Sequence, residues 1–145
     1  MEQNTKIITW QSLGISIALL VIYAIIYLPS ILPDYNSLLS KTADEMSKTC
    51  PKMVDKGTRL DKVEALPNNI FQYNYTMVNV ENVENSIEIV DIKSKFETEM
   101  LNAIKTEPGL KVFRDNNTTL GYRYLDKNGA EIFKVLITPD QYNNK

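Results

Sequence analysis

The chain has 145 residues, with 16 Lys and Arg against 18 Asp and Glu, one cysteine and no histidine. Without histidine there is no imidazole base, no Ser-His or Cys-His nucleophile pair and no His-ligated metal, and the lone Cys50 excludes an intrachain disulfide and a multi-cysteine metal centre. A pI near 5.2 gives no basic footprint for nucleic acid, so the composition predicts a protein without cofactor, metal or nucleic-acid partner.

The first feature along the chain is an apolar run, residues 7–32, with no charged side chain between Lys6 and Asp34. As a helix it would be about 39 Å long at about 1.5 Å per residue, enough to cross a hydrocarbon core of about 30 Å. The run has no convincing small-residue cleavage site, and Cys50 lies too far downstream for a lipoprotein signal. It predicts that residues 1–33 are a tail and a retained transmembrane anchor, with the lipid bilayer as the partner of residues 7–32.

The charges beside this run leave its orientation open. Lys41, Lys48 and Lys52 follow it, and the positive-inside rule then leans towards a cytoplasmic position for residues 34–145. These lysines are mixed with acidic residues, however, and they lie at the outer limit of the stretch that the rule counts.

The pattern of residues 34–145 predicts one small α+β domain. A helix is expected over about 34–49, because apolar residues recur there at helical spacing. Strands are expected over Arg59–Leu66 and Ile70–Val80, and the second is the clearest because apolar and polar residues alternate along it. The short turn between them predicts a hairpin.

The second half of the domain repeats this order. A helix is expected over about Glu88–Thr106, followed by a single helical turn near Leu110–Phe113. Strands over Thr118–Asp126 and Ala130–Thr138 should form a second hairpin across a glycine-containing turn. The resulting αββαββ order, which reads as a doubled αββ unit, predicts a four-stranded antiparallel sheet with both helices on one face.

Several segments resemble small exported or membrane-anchored bacterial proteins of unassigned function, and the resemblance extends from about Ser47 to Pro139. The segments that carry it are Cys50–Asp55, Thr58–Asp61, Phe71–Thr76, Phe113–Asn116 and Tyr122–Gly129. The arrangement is also distantly similar to secretion pilotins, which are usually lipidated, whereas this chain lacks the lipidation site. The resemblance implies an anchor in the bacterial inner membrane and an extracytoplasmic domain, against the local lysine count.

Two features invite a chemical interpretation, each beside a simpler one. Asp55 and Asp61, close to Arg59, would suit acid-base catalysis by paired carboxylates, but exposed ion pairs explain them equally well. Cys50 would suit a reactive thiol, an interchain disulfide or a lipid attachment site, but it also continues the apolar stripe of the first helix. With no recognisable nucleophile or metal site, the simpler readings are favoured and the protein is predicted not to be an enzyme.

Four tyrosines are candidates for an interaction surface. They form two Tyr-x-Tyr pairs on the two predicted hairpins: Tyr73, Tyr75, Tyr122 and Tyr124. Aromatic side chains on a sheet can form a binding platform, or they can fill the space between a sheet and its helices, and the second role is the commoner one.

An acidic stretch is the other candidate. Its members, which have no basic residue among them, are Glu81, Glu84, Glu88 and Asp91. It would suit a basic partner, although such a run is usually a solvated face.

The sequence supports three functional hypotheses. The first is a single-pass membrane protein of the bacterial envelope whose non-catalytic domain binds another membrane or envelope protein, with the anchor raising the local concentration of the domain. The second is a membrane-tethered inhibitor or immunity protein that neutralises a toxin, through the acidic stretch. The third is a carboxylate-based enzyme.

Overall fold

The computed structural model describes residues 34–81 and 87–144, and the predicted anchor, residues 7–32, lies outside them. None of the helices in these two ranges has the length and apolar character that a bilayer span requires. The membrane anchor therefore stays a prediction.

The described elements alternate between helices and hairpins. The helices are α1 (Tyr35–Ser47), α2 (Ile87–Thr106), α3 (Lys111–Asp115) and α4 (Pro139–Asn143), with a 3-10 turn at Pro108–Leu110. The strands are β1 (Lys52–Met53), β2 (Thr58–Leu66), β3 (Ile70–Met77), β4 (Thr119–Asp126) and β5 (Glu131–Ile137). The predicted α+β class is confirmed, and the two long helices and four long strands begin and end within a few residues of the predicted positions.

The predicted sheet was wrong in two respects. It has five strands in the order β1-β2-β3-β4-β5, and the pairing of β3 with β4 at its centre is parallel, with Ile70 opposite Thr119 and Met77 opposite Asp126. The other pairs are antiparallel.

The parallel pairing follows from the connection between the two hairpins. The chain leaves β3, forms α2 and α3, and returns to the end of the sheet at which β3 began before it enters β4. A crossover of this kind places consecutive strands in the same direction. The predicted αββ repeat is therefore present, and its two copies are joined by the parallel pairing of β3 with β4. We call this pairing the parallel seam.

The two faces of the sheet differ in chemistry. The face that we call the core face carries apolar positions from all four long strands, including the fully buried Phe71, Leu120 and Ile137. Leu39 and Ala43 of α1 and Ile104, Phe96 and Met100 of α2 pack into the same cluster. As predicted, α1 and α2 therefore cover one face, because each helix has an apolar stripe that only burial against this face removes from water.

The two elements that the sequence reading missed are short. β1 has only two residues, Lys52 and Met53, which is too few to show a periodic pattern. Helix α4 follows a capping box in which the backbone N–H of Thr138 donates to Gln141 Oε1 at 2.8 Å, with Pro139 in the first turn. Thr-Pro-x-Gln is a recognisable helix start, so the sequence does carry a signal for α4.

Thr118, just before β4, is hydrogen-bonded to side chains from the first helix, the β2–β3 turn and the last helix. Thr118, which is fully buried, lies 2.6 Å from Tyr35 Oη through its Oγ1 and donates to Asn69 Oδ1 at 3.2 Å. Tyr142 of α4 donates from its hydroxyl to the carbonyl of Thr118 at 2.9 Å. The hydroxyls of Tyr35 and Tyr142 are therefore occupied within the fold.

Candidate functional site

The four candidate tyrosines come together as two neighbouring cross-strand pairs, which we call the tyrosine ladder. The parallel register places Tyr73 opposite Tyr122 and Tyr75 opposite Tyr124. The ring centroids of these two pairs lie 5.5 Å and 5.0 Å apart, with interplanar angles of 10° and 19°. In-register strands hold like side chains side by side, so the ladder is a direct product of the parallel seam.

The ladder lies on the core face, against α2 and β5. Phe96 of α2 meets the rings of Tyr122 and Tyr124 edge-on, at 5.3 Å and 5.4 Å between centroids. Phe133 of β5 stacks on Tyr124 at 4.7 Å. Edge-on and offset contacts are the favourable aromatic geometries, and most of the ring area therefore stabilises the fold.

The hydroxyl groups of the ladder are less committed than its rings. Tyr122 is buried, whereas Tyr73, Tyr75 and Tyr124 are half-buried. Within residues 34–81 and 87–144 none of the four hydroxyls has a hydrogen-bond partner, in contrast to those of Tyr35 and Tyr142. Because a tyrosine hydroxyl in a packed environment normally finds a partner, these four are available to water or to another molecule.

Burial keeps the ladder in its neutral form. It raises the pKa of Tyr73 to about 12, and a smaller contribution comes from the neighbouring Tyr75. Burial is also the main cause that raises the pKa values of Tyr75, Tyr122 and Tyr124. Near neutral pH the four phenols are therefore protonated, and each can donate and accept a hydrogen bond.

The acidic stretch is only partly described. Glu81 is exposed and forms an ion pair with Lys127, next to the turn that follows β4. Asp91 is exposed on α2. Glu84 and the side chain of Glu88 lie outside the described part of the chain, so the stretch as a single surface stays a prediction.

The candidate carboxylate pair is divided between two local structures. Asp55 Oδ1 accepts the backbone N–H groups of Gly57 and Thr58 at 2.7 Å and 2.8 Å, in an exposed turn, and the bond from Gly57 is the main cause that lowers the pKa of Asp55. Asp61 accepts hydrogen bonds from Arg59 Nε and Thr76 Oγ1, both at 2.5 Å. Across the described residues no hydrogen bond joins the two aspartates, and each has a structural task.

Cys50 has the environment of a small apolar residue. It is half-buried, packs against the core cluster and lies 3.6 Å from the carbonyl oxygen of Met46 through its Sγ. This agrees with its interpretation as the last residue of the α1 stripe.

A polar network on the face opposite the core was not anticipated. Asn74, which is 3% exposed, donates to Glu64 Oε2 at 2.9 Å and accepts from Gln72 Nε2 at 3.0 Å. Gln72 Oε1 is buried, and no described residue donates to it. The alternation of polar residues along β3 showed that such a face exists, but their burial depends on the neighbouring strands, which a local pattern does not contain.

Two solved protein structures have a fold similar to that of this chain. A protein from Pseudomonas aeruginosa, described as a candidate secreted protein, has a TM-score of 0.58 at 11% identity, over 74% of this chain and 91% of its own. The pilotin of the type 2 secretion system of Vibrio vulnificus has a TM-score of 0.53 at 10% identity, over the same shares. The expected distant similarity to secretion pilotins is thus confirmed for the fold.

At the level of sequence, no curated protein matches. The family model described as domain of unknown function DUF8479 matches residues 35–133, which span both αββ units up to β5. The chain belongs to this family.

Proposed function

We propose that residues 34–145 form a non-catalytic protein-binding domain of the bacterial envelope, which residues 7–32 hold at the inner membrane with the domain on the extracytoplasmic side. The observation that carries the proposal is the tyrosine ladder, whose rings are fixed by packing while its hydroxyls have no partner in the described residues. Rigid aromatic side chains with an available polar end are favoured at protein interfaces, because they lose little conformational entropy on binding. The fold shared with a pilotin of a secretion system supports a place in the envelope.

Removal of two ladder hydroxyls tests the binding role. In the full chain, Tyr75→Phe with Tyr124→Phe keeps both rings and should change the free energy of unfolding by less than about 0.5 kcal/mol, because no described hydrogen bond is lost. The same variant should weaken the affinity for an envelope partner about thirtyfold, because two interfacial hydrogen bonds of about 1 kcal/mol each would be lost, and recovery of the partner in a stoichiometric complex purified in detergent should fall accordingly.

Tyr35→Phe is the matched control. It removes a hydroxyl that is hydrogen-bonded to Thr118, so it should lower the free energy of unfolding by about 1 kcal/mol and leave partner recovery unchanged. Equal recovery with the wild-type and the Tyr75/Tyr124 variant would show that the ladder has no part in binding.

The role of the anchor is tested by location. In spheroplasts that express the full chain, an added protease should digest the domain without lysis of the cell, because the proposal puts it outside the cytoplasm. A chain in which a polyleucine segment replaces residues 7–32 should retain function, since the proposed task of this segment is to raise local concentration at the membrane. Full function of a chain that begins at Asp34 would show that tethering is not required, and protection of the domain in intact spheroplasts would reverse its proposed side.

A further inference from the structure

The two edges of the sheet are unequal. β1 forms one edge with two residues, whereas β5 forms the other with seven, Glu131–Ile137. Within the described part of the chain, the outer side of β5 has no backbone hydrogen-bond partner. A long unpaired edge offers a row of N–H and C=O groups to another chain, and proteins commonly shorten or cover such edges; here only β1 is short.

A groove runs beside this edge, between β5 and the first turns of α2, and we call it the β5–α2 groove. Its volume is about 470 Å³, and its lining residues are Ile89, Val90, Lys93, Glu131, Ile132, Phe133 and Lys134. Ile132 and Phe133 are buried and form its apolar floor, whereas the side chain of Val90 is 62% exposed. An apolar side chain placed here would cover Val90, which the fold itself leaves in water.

The charges around the groove are positive on balance. Glu131 is neutralised by Arg123, whose Nε lies 2.7 Å from its Oε2. Lys93 and Lys134 have no ion-pair partner among the residues that the structure describes. Lys93 lies on α2, which covers the core face, whereas Lys134 is opposite Arg123 in the register and faces the other side of the sheet. An acidic ligand at this edge of the sheet is therefore favoured on both faces.

We propose that the β5–α2 groove binds an extended segment of a partner protein, which adds a strand to the outer edge of β5. The main-chain groups of β5 select an extended peptide over a helix or a lipid, because only a strand can pair with them along their length. Since side chains alternate between the two faces along a strand, an apolar residue of the added strand would enter the groove beside Val90. An acidic residue two positions away would meet Lys93 on the same face, and an acidic residue next to the apolar one would meet Lys134 on the other face. This inference rests on the proposed protein-binding function and names the kind of partner segment.

The experiment uses the full chain in detergent micelles and two fluorescent peptides of alternating valine and threonine. One peptide carries aspartates at its flanking positions and the other carries lysines there. Fluorescence anisotropy should show saturable binding of the acidic peptide and at least tenfold weaker binding of the basic one. Methylation of alternate backbone nitrogens of the acidic peptide should abolish its binding, because the strand pairing is then blocked.

Substitutions in the groove have matched controls on the same helix. Val90→Glu and Lys93→Glu should each weaken binding of the acidic peptide about tenfold, since the first puts an acid in the apolar site and the second reverses the charge that attracts the peptide. The controls are Ile92→Glu and Lys95→Glu, which change exposed residues of α2 that do not line the groove. They should bind as the wild-type does.

Three results would overturn this inference. They are the absence of saturable binding up to ~1 mM peptide, equal losses in groove and control variants, and a concentration-dependent dimer of the chain that excludes the peptide. The proposed function is tested separately by the tyrosine variants, so the groove can fail while partner recovery still depends on the ladder.

Discussion

Above pH 10 the domain should lose stability steeply, and it should unfold before pH reaches about 12. The pKa values of Tyr73 and Tyr142 are raised to about 12 in the folded state, mainly by burial, and those of Tyr75, Tyr122 and Tyr124 are raised as well. A group whose folded pKa is raised contributes its full stability below its unfolded pKa, here about 10, and this contribution is lost as the pH rises towards the folded value.

The size of the effect follows from the same linkage. Each tyrosine that ionises only after unfolding lowers the free energy of unfolding by about 1.4 kcal/mol per pH unit in this window. Ionisation of five such residues therefore lowers the free energy of unfolding by several kcal/mol. A typical domain has a free energy of unfolding of about 5–15 kcal/mol. Tyrosinate absorbance and far-ultraviolet circular dichroism, recorded along one pH titration of the full chain, should therefore change together.

The double substitution Tyr75→Phe and Tyr124→Phe tests whether ionisation of the tyrosine ladder causes this loss of stability. It should move the transition to higher pH, because two of the five titrating groups are gone. Ionisation of all tyrosines near pH 10 with the secondary structure intact would contradict the proposed packing of the ladder.

Phe71→Ala should be the most destabilising single substitution that we consider. Phe71 is fully buried, and its ring contacts Tyr73 edge-on at 5.4 Å and Phe113 of α3 at 5.2 Å. Truncation of a buried phenylalanine removes its transfer free energy and leaves a cavity, at a cost of about 3–5 kcal/mol. Urea denaturation of the full chain should show this loss as a lower midpoint with an unchanged slope.

Two further variants give losses of stability with which the Phe71→Ala loss can be compared. Phe71→Leu keeps most of the apolar volume and should cost clearly less than the alanine variant. Leu136→Ala, at a position that is 40% exposed on β5, should cost less than Phe71→Ala, because part of the Leu136 side chain stays in water and its removal leaves no closed cavity. A loss at Phe71→Ala no larger than at Leu136→Ala would mean that Phe71 does not lie at the centre of the core.

Local patterns predicted the elements well and their assembly poorly. The alternation along β3 separated Tyr73 and Tyr75 from Gln72 and Asn74, and each pair does lie on its own face. That β4 runs parallel to β3 depends on where the chain returns after α2, and no local period records the direction of a distant partner. The assumption that neighbouring strands are antiparallel therefore failed at the central pair alone.

The candidate site was also predictable in its residues but not in how they come together. Both Tyr-x-Tyr pairs were visible in the sequence, but the stacking of Tyr73 on Tyr122 required the parallel register. The β5–α2 groove joins Val90 and Lys93 with residues of β5 that lie far away in the chain, so it was not foreseeable. The sequence shows only that residue 90 is valine, and a single apolar residue on a helix does not indicate a groove.

The parallel seam also has a consequence for the order in which the domain assembles. Each αββ unit closes its contacts over a short stretch of chain, whereas the seam joins Ile70 to Thr119 and must wait for the whole crossover to fold. The two hairpins should therefore form early and independently, and their junction should form last. Since the tyrosine ladder straddles that junction, its rings are stacked only in a chain that has finished folding, and the candidate binding surface is complete only in the fully assembled protein.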